Sequence, residues 1–259
     1  MSKKLIIITA LGVALHPCSP VAARAADFRI ENRVFVSSSK EPTAESTTLF
    51  YRGTVYDFLE KPAEITVFDP LENRFVLLDV DRGMKTELST KTIDATLVRL
   101  KRLAETSKDP KVRFLYRPEF AQTIDPKTNE LVFESDWMTY RVTTVAAEDA
   151  ALARQYRQFC DAYANLNMFL RPGSRPPYPR LIVSDAIEKR GEIPTAILLV
   201  LKYQRGLDLR QERLRSEHRF VKRLLESDRD RIVAAGEQMA SFKAVDLRQY
   251  ENRQEPPAR

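Results

Sequence analysis

The stretch AEITVFDPLENRFVLLDVDRGMKTELST, residues 63–90, reads as three short β-strands separated by polar turns. Its apolar and polar residues follow the two-residue period of strands. In the first turn, Asp69 can accept hydrogen bonds from the backbone, Pro70 fixes φ at the next position, and Asn73 tolerates the left-handed conformation. The stretch therefore predicts consecutive antiparallel strands joined by tight turns.

Three acids of this stretch, Asp69, Asp79 and Asp81, are candidates for a catalytic carboxylate pair. Asp69 is explained by its turn, and the same Asp-Pro-x-x-Asn spelling recurs at residues 125–129. Two such turns indicate either an internal repeat or convergent turn chemistry, and we favour the second. Asp79 and Asp81 have no identifiable partner carboxylate, so the paired-acid geometry of a retaining glycosidase is unsupported. We interpret both as solvated charges at a strand end.

The first 25 residues have the pattern of a secretory signal. Two lysines precede an apolar run over residues 5–15, and Ala23 and Ala25 form an A-x-A cleavage pattern. A run of this length is shorter than the roughly 20 residues that a membrane span needs. We expect cleavage near Ala25, a mature chain without a transmembrane segment, and a periplasmic or secreted location. A buried N-terminal helix is the alternative.

Cleavage there would change the inventory of chemical groups. Lys+Arg would fall from 42 to 39 against 36 Asp+Glu, and the net charge from +6 to +3. That charge is too small to predict a nucleic-acid partner. One histidine, His218, and one cysteine, Cys160, would remain, so no intramolecular disulfide can form. Because zinc sites need several Cys or His ligands, we expect no metal site and no cofactor.

The same inventory argues against an enzyme. His218 lies in RLRSEHRFVKRLL (213–225), a charged and extended setting, and we interpret it as a solvated strand residue. The sequence has no G-x-S-x-G, Walker or G-x-G-x-x-G motif, and it contains only 7 glycines. Nucleophile elbows and phosphate-binding loops depend on such glycines. No catalytic residue is predicted.

Outside the opening stretch, the chain alternates between strand and helix patterns. We predict strands at residues 28–36, 48–59, 111–120, 137–147 and 195–204. We predict helices at 92–105, at about 148–169, before Gly191 and from Ser227. The second helix carries the longest apolar stripe, made of Leu152, Tyr156, Phe159, Tyr163, Leu166 and Leu170. Residues 207–225 alternate charged and apolar side chains, which indicates a strand pair or a long edge strand.

These patterns predict an α+β fold, in which an incomplete antiparallel β-barrel or curved sheet is covered by helices on its concave face. We expect a single domain over residues 26–250, with a stiff proline-rich connector at 171–180. Residues 251–259 are expected to form a disordered tail. An SH3-type ligand is the less favoured interpretation of the connector.

Residues 50–79, FYRGTVYDFLEKPAEITVFDPLENRFVLLD, carry a resemblance to a known family. Their successive strands with a D-P-x-x-x-x-F step, followed by a helix, resemble the LolA/LppX-like superfamily of bacterial periplasmic lipoprotein carriers. The resemblance lies chiefly in residues 49–105. It implies an incomplete β-barrel that encloses a hydrophobic cavity for acyl chains. Only this architecture is implied, and no binding residue is carried over from the family.

Two classes of function follow from this architecture. The first is a cell-envelope protein that binds or carries a lipid-like or acyl ligand in a hydrophobic cavity. The second is a non-enzymatic envelope scaffold without a small ligand, and the sequence does not define its oligomeric state or its protein partners. Candidates for lining the cavity are Ile65, Val67, Phe75 and Leu77, and an ordinary core explains each of them as well.

Overall fold

A computed structural model describes residues 26–205 and 208–252, except for the side chains at 204, 205, 208 and 209. The opening stretch forms three consecutive antiparallel strands, β4 (Glu64–Asp69), β5 (Arg74–Asp79) and β6 (Met84–Ser89), as the sequence predicts. The expected signal at residues 1–25 lies outside the described residues, as does most of the expected tail. Glu251, the first residue of that tail, closes a short helix.

The described strands form one open, curved sheet. The others are β1 (Phe28–Val36), β2 (Ala44–Tyr51), β3 (Thr54–Leu59), β7 (Ala121–Ile124), β8 (Leu131–Glu134), β9 (Met138–Ala146), β10 (Glu192–Arg205), β11 (Asp208–Val221) and β12 (Lys243–Ala244). Their order is β12-β6-β5-β4-β3-β2-β1-β11-β10-β9-β8-β7. All neighbours are antiparallel except β12 and β6. The predicted α+β class with a curved sheet is confirmed.

Helices cover both faces of the sheet. They are α1 (Thr90–Glu105), α2 (Pro110–Tyr116), α3 (Ala150–Leu170), α4 (Tyr178–Lys189), α5 (Glu226–Ser241) and α6 (Leu247–Glu251). We call one face the α3 face, because Phe28, Phe50 and Phe75 pack there against the buried stripe of α3. The other is the α5 face, where Leu49 and Leu78 pack against Ile232. The sequence predicted α1, α3, α4 and α5, but not that α5 covers the opposite face.

The turns of the meander have the predicted chemistry. Asp69 Oδ1 accepts hydrogen bonds from the backbone N–H groups of Leu71 and Glu72, each at 3.1 Å. Asn73 then adopts the left-handed conformation, with φ of 53°. The second turn repeats this arrangement at Asp125 and Asn129. Asp69 is therefore a turn residue.

Three predictions of secondary structure are wrong. Residues 48–59 are two strands, because Arg52 and Gly53 both have positive φ and close a tight hairpin between β2 and β3. Residues 111–116 are helical, since Asp109 caps α2 by accepting from the backbone N–H of Lys111 at 2.7 Å. Strand β11 is central, because it pairs with both β1 and β10.

Two further differences concern the burial of Asp79 and the length of the proline-rich connector. Asp79 is 3% exposed and binds Arg82, with Nε 2.7 Å from Oδ2, so it is not a solvated charge. Asp81 is exposed, as expected. Helix α4 begins at Tyr178, which makes the proline-rich connector shorter than predicted. Within the described ranges, no helix has the length and apolarity that crossing a membrane requires.

Candidate ligand-binding site

A cavity of about 350 Å³ lies between α3 and the α3 face of strands β1, β2, β3 and β11. Its walls are largely apolar, and Ile30, Val34 and Leu59 contribute from the strands. Phe159 and Ala164 contribute from the helix. The helix stripe therefore does not fill all the space above the sheet.

A second cavity of about 400 Å³ adjoins the first. Both are lined by Val34, Ala164, Arg180 and His218, and the second extends beneath the proline-rich connector. The connector thus covers part of the sheet that α3 leaves open. The two cavities therefore lie next to each other and share part of their walls.

A row of polar side chains crosses the strands that form the floor of the first cavity. Asn32 on β1 connects the two sides, because its Nδ2 donates to Thr48 Oγ1 at 2.8 Å while its Oδ1 lies 2.8 Å from His218 Nδ1. Thr48 then donates to Asp57 Oδ1 at 2.7 Å. Strand register explains the row, because Asn32 is opposite His218 on β11 and Thr48 is opposite Asp57 on β3.

Asp57 is the buried acid of this row, with 6% of its surface exposed. Burial raises the pKa of its carboxyl group above the usual value, although hydrogen bonds with Thr48, Ser46 and Tyr163 lower it in part. Two of these partners come from the neighbouring strand and one from α3. Asp57 is thus held in place by both layers of the fold.

His218 is not the solvated residue that the sequence indicated. It lines both cavities, and burial lowers the pKa of its imidazole to about 3, with a smaller contribution from the positive charge of Arg180. Ser216 Oγ lies 3.1 Å from Nε2, so Ser216, His218 and Asn32 have the connectivity of a nucleophile, a base and an orienting group. Such a base should have a pKa near the working pH. A pKa near 3 makes His218 a poor base, since burial, and to a smaller extent the charge of Arg180, disfavours the imidazolium ion.

Arg180, at the start of α4, is the cation that lines both cavities, whereas Arg175 and Arg215 line the second cavity alone. The Nη1 group of Arg180 is buried without a hydrogen-bond partner among the described residues. A guanidinium group remains protonated in proteins, so the positive charge persists. A buried N–H group of a cation without a partner is costly, because its lost hydration is not compensated by a hydrogen bond.

The cavity-facing side of α3 adds three weakly acidic groups. Burial raises the pKa of the Cys160 thiol to about 11, and it raises the pKa values of Tyr156 and Tyr163 as well. All three are therefore neutral near pH 7. In the described part of the chain, no group of three or more His, Cys, Asp or Glu side chains could hold a metal ion.

The structure does not bring the four predicted lining residues together. Phe75 and Leu77 lie on the α3 face, where Phe75 lines a separate cavity of about 220 Å³ and Leu77 another of about 520 Å³. Ile65 and Val67 lie on the α5 face. The sequence missed Asn32, Asp57 and Arg180; one signal for Asp57 was a charged residue inside the aromatic run TVYDFL.

Comparison with known proteins gives a distant similarity to solved structures. No protein-family model matches the chain, and no curated protein matches it. Among solved structures, it is similar to the LolA superfamily protein NE2245 from Nitrosomonas europaea, with 9% sequence identity and a TM-score of 0.30. The match covers 78% of this chain and 89% of that chain. No residue role or ligand is transferred from this similarity.

Proposed function

We propose that this chain is an exported cell-envelope protein that binds or carries a lipid-like ligand with an acyl chain beneath α3. The supporting observation is the largely apolar cavity of about 350 Å³, which adjoins a second of about 400 Å³. Ligand sites are typically apolar concavities of about 300–1,000 Å³ with a few polar groups that orient the ligand. The apolar walls suit an acyl chain, and the polar row suits its head group.

We also propose that the protein is not an enzyme. The supporting observation is His218, which has suitable neighbours for a base but a pKa lowered to about 3. Proton transfer from Ser216 would create an imidazolium beside the Arg180 charge, in a buried place. Binding without reaction is therefore the use that fits these groups. Export to the periplasm or the medium rests on the signal pattern in the first 25 residues.

Binding of a neutral apolar probe to the delipidated protein tests this function. We expect N-phenyl-1-naphthylamine to bind at micromolar concentrations, and native mass spectrometry of the undelipidated protein to show a co-purified lipid. Ala164→Trp places an indole in the wall shared by both cavities and should abolish probe binding. The matched control is Arg154→Trp, which adds the same group to an exposed position of α3.

Two outcomes would contradict the proposal. Absence of probe binding to the wild-type protein would remove the carrier function, and an envelope scaffold without a small ligand would take its place. Equal loss of binding in Ala164→Trp and Arg154→Trp would show that the probe does not occupy the cavity beneath α3. Thermal unfolding of both variants establishes that each is folded before binding is compared.

A further inference from the structure

The Nη1 group of Arg180 indicates what kind of ligand the cavity takes. Nη1 has no hydrogen-bond partner among the described residues, and it lies in a wall that is otherwise mostly apolar. Burying a cation in this way is unfavourable unless an anion binds it. The position of the group at the meeting point of two cavities would bring a bound ligand within its reach.

The acids nearest to the cavity are engaged elsewhere. Asp57 is bound to Thr48, and burial favours its neutral form by raising its pKa. Glu45, which lines the rim, forms an ion pair with Arg33 at 3.2 Å. Neither forms an ion pair with Arg180 in the described structure.

Asp161 is the main internal competitor for Arg180. Its Oδ2 is 3.2 Å from Arg157 Nε, but its Oδ1 is buried without a hydrogen-bond partner in the described structure. Its charge is close enough to act on Arg180, although no ion pair joins the two side chains among the described residues. In the observed arrangement, Asp161 thus forms its ion pair with Arg157. A rotation of the Asp161 side chain that paired it with Arg180 would remove the need for an anionic ligand. Pairing with Asp161 is therefore the alternative to a bound carboxylate.

We propose that Arg180 binds the carboxylate of a long-chain carboxylic acid whose alkyl chain lies in the cavity beneath α3. The inference rests on the proposed lipid-binding function and adds the chemical class of the head group. A guanidinium group matches a carboxylate in shape, since two parallel N–H groups face two oxygens. Within the described chain, Arg180 is the one Lys or Arg side chain that lines the first cavity, and a single cation balances a monoanion such as a carboxylate. The neutral side chains of Asn32 and His218 add polar atoms without adding charge.

Comparison of an acid with its methyl ester tests the head group. The probes are dansyl-labelled undecanoic acid and its methyl ester, which share one chain and differ in charge. A hydrogen bond to a charged group is worth a factor of about 10–100 in affinity, so the acid should bind the wild-type protein more tightly by that factor. Arg180→Gln should reduce the affinity for the acid to that for the ester, while the affinity for the ester stays unchanged.

Two further variants make the comparison specific. Arg180→Lys keeps the charge but loses the planar fork, so it should retain part of the preference for the acid. Arg154→Gln removes an exposed arginine of α3 and should leave both affinities unchanged. If Arg180→Gln does not fold, the wild-type comparison and Arg180→Lys still decide the question.

The possible results separate this inference from the proposed function. Equal affinities for acid and ester in the wild-type protein would overturn the role of Arg180 while leaving lipid binding intact, as pairing with Asp161 predicts. Absence of binding by either probe would overturn both. Dodecyl phosphate displacing the probe more effectively than dodecanoic acid would overturn the carboxylate assignment in favour of a phosphate head group.

Discussion

Arg29 on β1 and Asp228 on α5 form an ion pair in which Nη1 lies 3.2 Å from Oδ1. Asp228 is 1% exposed, and its Oδ2 also accepts a hydrogen bond from the backbone N–H of Leu225 at 2.8 Å. One carboxylate therefore caps α5 and attaches it to the first strand. This pair explains how a helix near the end of the described residues is held on the face opposite α3.

Asp228→Ala should destabilise the protein strongly. The substitution leaves Arg29 without this partner and removes the cap, and breaking a buried pair costs about 3–5 kcal/mol. Urea unfolding should show this as a lower midpoint at an unchanged slope. The control is Asp230→Ala, an exposed acid of the same helix, which should change stability by less than about 0.5 kcal/mol. Similar effects of the two substitutions would contradict a special role for Asp228.

Phe159→Ala should weaken the contact between α3 and the sheet. Phe159 is 6% exposed, and its ring lies 5.7 Å from that of Phe50 and 5.3 Å from that of Tyr163. Truncating a buried phenylalanine costs about 3–5 kcal/mol. Because Phe159 borders a cavity, we expect a loss of stability near the lower end of this range, about 3 kcal/mol.

The control for Phe159→Ala must lie on the same helix and have no partners. Arg157 is unsuitable, because it forms ion pairs with Asp161, Asp185 and Glu188. Arg154 is exposed, so Arg154→Ala should stay within about 0.5 kcal/mol of the wild-type stability. If chemical denaturation gave equal small changes for both variants, α3 would not be packed as the structure has it.

Features that depend on neighbouring residues could be predicted from the sequence. The stripe of α3 and the turns at Asp69 and Asp125 are encoded within one element each, and all of them are found. The helix at 110–116 was also open to prediction, because Asp109 before Pro110 is a typical helix start. Its apolar residues were instead taken for a strand.

Features that depend on strand register could not be predicted in this way. Asn32, Thr48 and Asp57 look unrelated in the sequence, and the pairing of strands β1, β2 and β3 places them in one row. Both faces of the central sheet are buried, so alternation along β4 and β5 does not reveal which side faces α3. Ile65 and Phe75 illustrate this, because they lie on opposite faces.

His218 should make the protein less stable as the pH falls. Its pKa is about 3 in the folded state and about 6.5 in an unfolded chain, so the unfolded state binds more protons between these values. Stability is therefore complete above about pH 6.5 and decreases toward pH 3, by up to about 1.4 kcal/mol per pH unit. Asp57 acts in the opposite direction, because a raised carboxyl pKa favours the folded state at low pH.

A variant that cannot titrate isolates the contribution of His218. His218→Gln keeps a polar side chain opposite Asn32 but has no proton to gain. Urea unfolding at several pH values should give a shallower loss of stability below pH 6.5 for this variant than for the wild-type protein. Parallel pH profiles would mean that the imidazole is already accessible to water in the folded state.

The last prediction uses Cys160 as a reporter of the cavity. Burial raises the pKa of its thiol to about 11 from a usual value near 9. The reactive thiolate is then about 100-fold rarer in the folded protein than in the unfolded chain near pH 8. Labelling with iodoacetamide, followed by mass spectrometry in a Cys18→Ser background, should therefore be slow and should accelerate about tenfold per pH unit up to pH 11.

Ligand binding should slow this labelling further. Cys160 lines the cavity of about 350 Å³, so a bound alkyl chain would exclude the reagent and keep the thiol out of water. Saturating dodecanoic acid should therefore lower the rate in the folded protein. It should leave the rate in urea unchanged, since the unfolded chain has no cavity. Ala164→Trp supplies the matched control, because its indole should slow labelling without ligand and abolish the response to ligand. A rate that dodecanoic acid does not alter, under conditions where binding is measured independently, would place the ligand elsewhere on the protein.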